Sequence, residues 1–321
     1  MNKEVLQSGF GNSEHYQPVA QTKSTIKPTG LAVGFMVGRK ELTSRDALII
    51  SELGKHSVLN VRQIKTLLNF PSLDRAQRRC LALYRRGLVE RIPCFSSGPG
   101  KPEFCYILSN KAFRYLSMVQ KAPTRGNRIK SGLFLEHTLL INDFWICLEL
   151  ACRANSLIKL AGFIPEFSRG YSRGVKSTSI VVVEPETGRK LTLVPDAVFC
   201  LAGENKKKLF FLEIDRATGK VESQSYRSFA SQAQKYIWYQ QGKDFTDYGK
   251  IFSYPFPGFQ VLYVTTSENR LKHYQQALSR LGNFQKFVLF ATFEKLSPET
   301  IFGKIWRASK AEDENLYSLL E

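Results

Sequence analysis

Inside the apolar run LFFLEIDR, two carboxylates, Glu213 and Asp215, stand two residues apart. A strand alternates its side chains, so both face the same side. Burying a carboxylate is costly unless it is paired, hydrogen-bonded or bound to a metal. A third acid, Asp196, sits in VPDAVF at the start of the preceding strand. The turn GENKKK folds these strands back on each other and brings Asp196 close to Glu213. Carboxylates gathered at strand ends form a hard, oxygen-rich site suited to Mg2+ or Mn2+. A cation there could bind a phosphate oxygen and activate water for phosphodiester cleavage. Asp196 and Glu213 are therefore the metal-ligand candidates. A salt-bridge network, with Asp215 on Arg216 or Lys220, accounts for the same residues without chemistry. His137, on a nearly all-apolar helix, divides in the same way between a hydrogen-bonded core histidine and a ligand.

The second chemistry-bearing group is basic. The chain carries 46 Lys and Arg against 28 Asp and Glu, a formal net charge of +18, which points to a polyanionic partner. Residues 39–130 hold 19 Lys and Arg against 6 Asp and Glu, a surplus of +13. Arg75, Arg78, Arg79, Arg85 and Arg86 fall in PSLDRAQRRCLALYRRG; Arg62 and Lys65 precede them, and Lys101 stands in the loop SSGPGKPE. Arginines on a helix can reach phosphates or guanine edges in the major groove. A solvated helix face is the plain alternative for such a run.

The elements that carry these residues follow from pattern. In LTSRDALIISELG, Thr43 with Asp46 resembles a capping box, the apolar positions keep helical spacing, and Gly54 is expected to end the helix. VLNVRQIKTLLNF predicts a short second helix. In the third, Ser72 caps, Asp74 suits the positive helix start, and Gly87 closes. Leu73, Ala76, Cys80, Leu83 and Tyr84 form its expected buried stripe. LVERIP and FCYILS then flank a Gly/Pro loop, and NKAFRYLSMV closes as a helix. This order predicts a winged helix, whose third helix enters the major groove with Lys101 on the neighbouring backbone. LFLEHTLLINDFWICLELACRAN is a long core helix of a larger unit. STSIVVVEP, KLTLVPDAVFCLA, KKLFFLEID and FQVLYVTTS read as strands, with helices around SYRSFASQAQKYIWYQQG and NRLKHYQQALSRLG. Mixed strands and helices predict an α/β sheet with helices on both faces.

Several function classes drop out. There is no Gly-x-x-x-x-Gly-Lys-Ser/Thr loop for ATP, no Gly-x-Ser-x-Gly elbow, and no His-hydrophobic-His pair of the rolling-circle relaxase kind. The six cysteines are scattered without a CxxC pair and are expected to be reduced core residues. No apolar run is long enough to span a membrane and the first residues lack a signal-peptide core, so the expected compartment is the cytoplasm.

Pro195-Asp196 followed by Glu213-Ile214-Asp215 resembles the signature of PD-(D/E)xK nucleases. That resemblance implies an assisting acid on the first helix, to which Glu136 corresponds. It also implies a Gln-x-x-x-Tyr pattern after the signature, which Gln232 and Tyr236 supply. Asp215 stands where the nucleases carry lysine, and Lys235 is the candidate substitute. Asp196, Glu213, Asp215, Lys235, Glu136 and Gln232 are thus the catalytic candidates. Across residues 42–306 the chain resembles the replication-relaxation proteins of plasmids and integrative conjugative elements. The carriers are LTSRDALIISEL, RCLALYRRGLVER, EHTLLINDFW, VPDAVF, FFLEIDRAT, KYIWY and VLYVTTSENRLKHYQQAL. The fold it implies is α/β (α+β), a winged helix-turn-helix followed by a PD-(D/E)xK nuclease-like mixed sheet. The implied organisation is a basic and polar flexible arm at 1–41, a DNA-binding unit at 42–120, a basic linker at 121–132, a restriction-endonuclease-like unit at 133–310 and a tail at 311–321. The implied function is that of a double-stranded-DNA-binding mobilisation factor at a transfer origin, beside a relaxase or other relaxosome protein and away from membranes. An Mg- or Mn-dependent nuclease or relaxase is one alternative. A replication or transcription regulator with an inactive nuclease-like unit is the other.

Overall fold

The computed structural model describes residues 36–37, 40–94, 103–119, 132–166, 178–216, 229–243, 245, 247–282, 287–309 and 313–320. All of the expected linker but Gly132, the loop holding Lys101 and most of the expected arm lie outside these residues.

A short pair, β1 (Met36–Val37) and β2 (Lys40–Glu41), precedes α1 (Ser44–His56), β3 (Leu59–Asn60), α2 (Val61–Leu67) and α3 (Leu73–Arg85). Then come β4 (Val89–Cys94), β5 (Glu103–Leu108) and α4 (Asn110–Val119). Strands β3, β5 and β4 form an antiparallel sheet in that order. Local chemistry sets these starts. Thr43 and Asp46 exchange the two bonds of a capping box on α1, Asn60 and Gln63 do the same on α2, and Ser72 accepts the Arg75 N–H on α3. Such caps satisfy backbone donors that no helix can meet internally.

Two local expectations are corrected. Gly54 does not end α1, which runs on to His56. A Cβ at Gly54 would meet Leu116 Cδ1 at 2.7 Å, so the glycine lets α4 pack close. Leu73 and Tyr84 are exposed at 36% and 40%, so the buried stripe of α3 narrows to Ala76, Cys80 and Leu83.

α5 (Gly132–Ala154) is apolar nearly all round because it is covered on two sides. Ile141, Phe144, Trp145 and Leu148 face the main sheet, while Ile146 joins the core of the front unit. Several of its polar residues are spent on that junction. Asn142 Nδ2 donates to the Val58 and His56 carbonyls at 2.7 and 3.2 Å. Gln63 Nε2, from α2, donates to Leu139 O and Asp143 Oδ1, both at 2.8 Å.

The remaining elements are β6 (Lys159–Pro165), β7 (Ile180–Val183), β8 (Lys190–Leu193), β9 (Ala197–Ala202), β10 (Lys207–Ile214), α6 (Phe229–Gly242) and α7 (Asp247–Phe252). β11 (Phe259–Thr265), α8 (Glu268–Ser279), β12 (Val288–Thr292), β13 (Trp306–Arg307) and β14 (Leu316–Tyr317) complete the chain. The main sheet runs β14-β13-β12-β11-β10-β9-β6. β10, β11 and β12 are parallel and the other pairings antiparallel, so the fold is a mixed α/β sheet. One face of β10 carries Leu209 and Phe211 toward α6 and α8, the other carries Phe210 and Leu212 toward α5.

Here too the strands depart from expectation. KLTLVPDAVFCLA is not one strand: Pro195 has no N–H for a ladder, so β8 pairs only with β7 while β9 enters the main sheet. β6 and β12 lie outside the expected strands. The bulge between Leu160 and Gly162 breaks the alternation of β6. β14 and the fully buried Leu319 belong to the stretch expected as a tail. Cys94 and Cys105, on adjacent strands, form a disulfide, contrary to the expectation of reduced thiols, while Cys80, Cys147, Cys152 and Cys200 are free. Among the described residues no helix is long and apolar enough to cross a membrane.

Candidate functional site

The β9–β10 hairpin, closed by Gly203 N–H on Lys206 O at 2.8 Å, pairs Ala197 with Leu212. One step further along, Asp196 meets Glu213. There side-chain bonds join the backbone bond from Asp196 N–H to Leu212 O at 3.1 Å: Asp196 Oδ2 accepts the Ile214 N–H at 2.6 Å, and Asp196 Oδ1 lies 2.7 Å from His137 Nε2. His137 comes from the first turns of α5. Glu166, just past the end of β6, is held by its N–H on Asp196 O at 2.8 Å. His137, Glu166 and Asp196 thereby bring one ligand atom each within 4.8 Å of one another.

The charges in this group push on each other. Burial lowers the His137 pKa, but the adjacent Asp196 charge and hydrogen bond outweigh it and the net shift is upward. Burial, then the Asp196 charge, raises Glu166, with His137 pulling the other way. Glu213 is buried deeper. Burial and the Asp196 charge hold its pKa well above the ordinary range, against the hydrogen bonds from Tyr236 and Gln232. Those bonds reach the same oxygen, Glu213 Oε1, at 2.5 Å from Tyr236 Oη and 3.1 Å from Gln232 Nε2. The Gln-x-x-x-Tyr spacing on α6 thus serves to hold Glu213.

The donor set of one imidazole and two carboxylates fits a divalent cation, and the imidazole favours Mn2+ over the oxygen-seeking Mg2+. Since His137 must be deprotonated to ligate, binding would release a proton.

Three of the sequence candidates are turned elsewhere. Asp215 shares the strand face with Glu213 but is neutralised by Arg270 of α8, with Nε at 2.8 Å and Nη2 at 3.2 Å, and by Thr265 Oγ1 at 2.9 Å. Of the partners expected for it, Arg216 places Nη1 3.4 Å from Glu136 Oε2, and Lys220 lies outside the described residues. That pairing keeps the exposed Glu136 on Arg216. Lys235 Nζ donates to Thr192 O at 3.2 Å, on β8, and burial lowers its pKa. Sequence reasoning missed Glu166 and Arg270. Neither has a motif; each arrives from an element whose packing sets its position.

The basic candidates also sort. At about 100° per residue, Arg75, Arg78 and Arg85 share an arc of roughly 80° on α3 with the small Ala82 between them, and all four are exposed. Arg78 pairs with Asp74 one turn back. Arg79 is used internally: Nε and Nη2 bind the buried Asp46 at 3.0 and 2.6 Å. Arg86 approaches the same carboxylate at 3.9 Å. Arg62 is 3.1 Å from Glu103, and Lys65 is half-buried near the end of α2.

A sequence profile described as replication-relaxation matches residues 50–253 of this chain. No curated protein matches it. Among solved structures, the restriction endonuclease FokI bound to DNA is similar at 13% identity over 78% of this chain and 43% of that one, with a TM-score of 0.25. FokI alone is similar at 14% identity over 77% and 41%, with the same TM-score of 0.25. This chain therefore spans less than half the length of those structures, and superposition at that score transfers no feature.

Proposed function

The chain belongs to the replication-relaxation family, and from that premise we propose that it is a double-stranded-DNA-binding factor acting at the transfer origin of a plasmid or conjugative element. The observation that carries this reading is the exposed Arg75–Arg78–Arg85 stripe on α3. Helices α1, α2 and α3 with the β3-β5-β4 sheet are read as a winged helix, and α3 as its major-groove helix. Arg75, Arg78 and Arg85 then bind phosphates or guanine edges. Arg79 and Arg86 hold α3 at its angle through Asp46.

The mixed sheet behind is read as a nuclease-like unit that binds rather than cuts. The position where the nuclease signature has lysine is Asp215, closed by Arg270, and Lys235 is committed to Thr192 O. Among the described residues, neither Asp215 nor Lys235 is then placed as the signature's lysine would be. A relaxase or other relaxosome protein is the proposed partner. A second reading, metal-dependent nicking, is favoured by one observation, the convergence of His137, Glu166 and Asp196. A cation there would act as a Lewis acid on a phosphate oxygen. His137 and the two acids would orient it, and Tyr236 and Gln232 would keep Glu213 in place.

The test is to incubate the protein with supercoiled origin plasmid, with and without Mn2+. Salt-sensitive duplex binding without strand cleavage is the expected result. Mn2+-dependent nicking lost in both Asp196→Ala and Glu166→Ala would replace the first reading by the second. Failure to bind duplex at all would overturn both.

A further inference from the structure

A second convergent group lies at the junction of the front unit with α5. Glu52 and His56 stand four residues apart on α1, so they share a face. Glu149 reaches them from α5. One ligand atom from each lies within 4.8 Å of the others.

What distinguishes this cluster is an unmet demand. His56 is 0% exposed, and neither of its ring nitrogens has a hydrogen-bond partner. Glu52 Oε2 is also buried without one. The nearest approach, His56 Nε2 to Glu52 Oε2, is 3.5 Å, beyond the range of a good N–H···O bond. It is close to the edge of a coordination tetrahedron, about 3.3 Å for zinc-to-ligand bonds near 2.05 Å. The imidazole is held rigidly, 4.2 Å from the Trp145 ring. Its backbone carbonyl accepts from Asn142 Nδ2.

The charges around it can accommodate a cation. Glu149 now holds Lys55 Nζ on one oxygen and Arg153 Nη2 on the other at 3.2 Å. Lys55 is 30% exposed, and its four-carbon stem lets the ammonium swing into solvent. A divalent ion taking its place keeps both carboxylates neutralised and gives His56 the partner it lacks.

We infer that Glu52, His56 and Glu149 form a zinc-class metal site that clamps the front unit to α5. One imidazole, two carboxylates and a fourth position for water is a donor set Zn2+ accepts. Because the ligands come from α1 and α5, the bound ion would bridge the two halves of the molecule and stabilise their junction. The inference is independent of DNA binding and of any cleavage.

The experiment uses the full chain with His137→Ala and Asp196→Ala, so that the group on the hairpin contributes no metal binding. Zn2+ alone is titrated by calorimetry, and Co2+ alone by its visible d–d absorption. One equivalent should bind with tetrahedral Co2+ bands, and thermal unfolding should shift upward with Zn2+. Adding Glu52→Gln should weaken binding by about 100-fold or more, the scale on which even supporting residues act. His56→Gln disturbs a fully buried side chain and can fail to fold, so the half-buried Glu52 variant carries the decision. A folded background protein that takes up no Zn2+, or a Glu52→Gln variant that binds it as tightly, overturns the inference.

Discussion

Replacing Arg75 and Arg85 together should weaken duplex binding in a salt-dependent way and leave the fold intact. The two residues are exposed, lie on one arc of α3, and form no ion pair among the described residues. Ten residues at about 1.5 Å each separate them by about 15 Å, roughly four base pairs of duplex at about 3.4 Å per pair. Two separate phosphates are therefore within reach. Each neutralised phosphate contributes about 0.9 to the slope of log K against log salt, so Arg75→Ala/Arg85→Ala should flatten it by about 1.8. That corresponds to a loss of about 60-fold at 0.1 M salt and about 20-fold at 0.2 M. Arg79→Ala should behave in the opposite manner. It leaves the Asp46 carboxylate, which is 2% exposed, with the Thr43 N–H at 3.1 Å and Arg86 at 3.9 Å but no close cation. Breaking a fully buried pair costs about 3–5 kcal/mol; with the Arg79 side chain a third exposed, about 2–3 kcal/mol of stability is expected here. Anisotropy titrations of a labelled duplex across salt, paired with urea denaturation, read both effects. An unchanged slope in the double variant, with Arg79→Ala alone losing affinity at full stability, refutes the sorting.

Asp215→Ala should cost about 2–4 kcal/mol in urea denaturation, because it leaves the Arg270 guanidinium largely buried without its carboxylate. Mn2+ affinity at His137, Glu166 and Asp196 should not change; a parallel loss of Mn2+ binding would put Asp215 back in that group. Glu213→Gln should raise stability, and the gain should depend on pH. The folded-state pKa of Glu213 lies above the ordinary 4.5, so the folded state holds a proton that the unfolded chain releases at lower pH. Stability from this group is present below about 4.5 and is lost as pH rises through the raised folded value. The glutamine variant, which keeps an acceptor for Tyr236, should match wild type in acid and exceed it increasingly toward neutral and alkaline pH. A difference that stays flat across that range would contradict the buried-charge account.

Much of the local structure is legible in the chain because its causes are local. Thr43, Asn60 and Ser72 start their helices by bonding to backbone N–H groups three residues away. The apolar run of β10 and the turn at Gly203 place Asp196 opposite Glu213, since alternation and hairpin register need only neighbouring residues. The family resemblance carried by VPDAVF and FFLEIDRAT agrees with the profile match over residues 50–253. What alternation states is a face, not a partner. Glu213 and Asp215 share one, yet α6 takes the first with Tyr236 and α8 takes the second with Arg270, 55 residues further on. Glu166 reaches Asp196 only because a bulged edge strand, irregular in pattern, pairs with β9. Arg79 reads like Arg75 and Arg78 until Asp46, 33 residues back, folds against it. Composition, helix starts, strand faces and the basic front were thus set by the sequence itself. Which acid is neutralised by an arginine, which is held by a tyrosine, and which arginine meets solvent was decided by tertiary packing, because an ionic group's state depends on whatever distant side chain is brought into its desolvated surroundings.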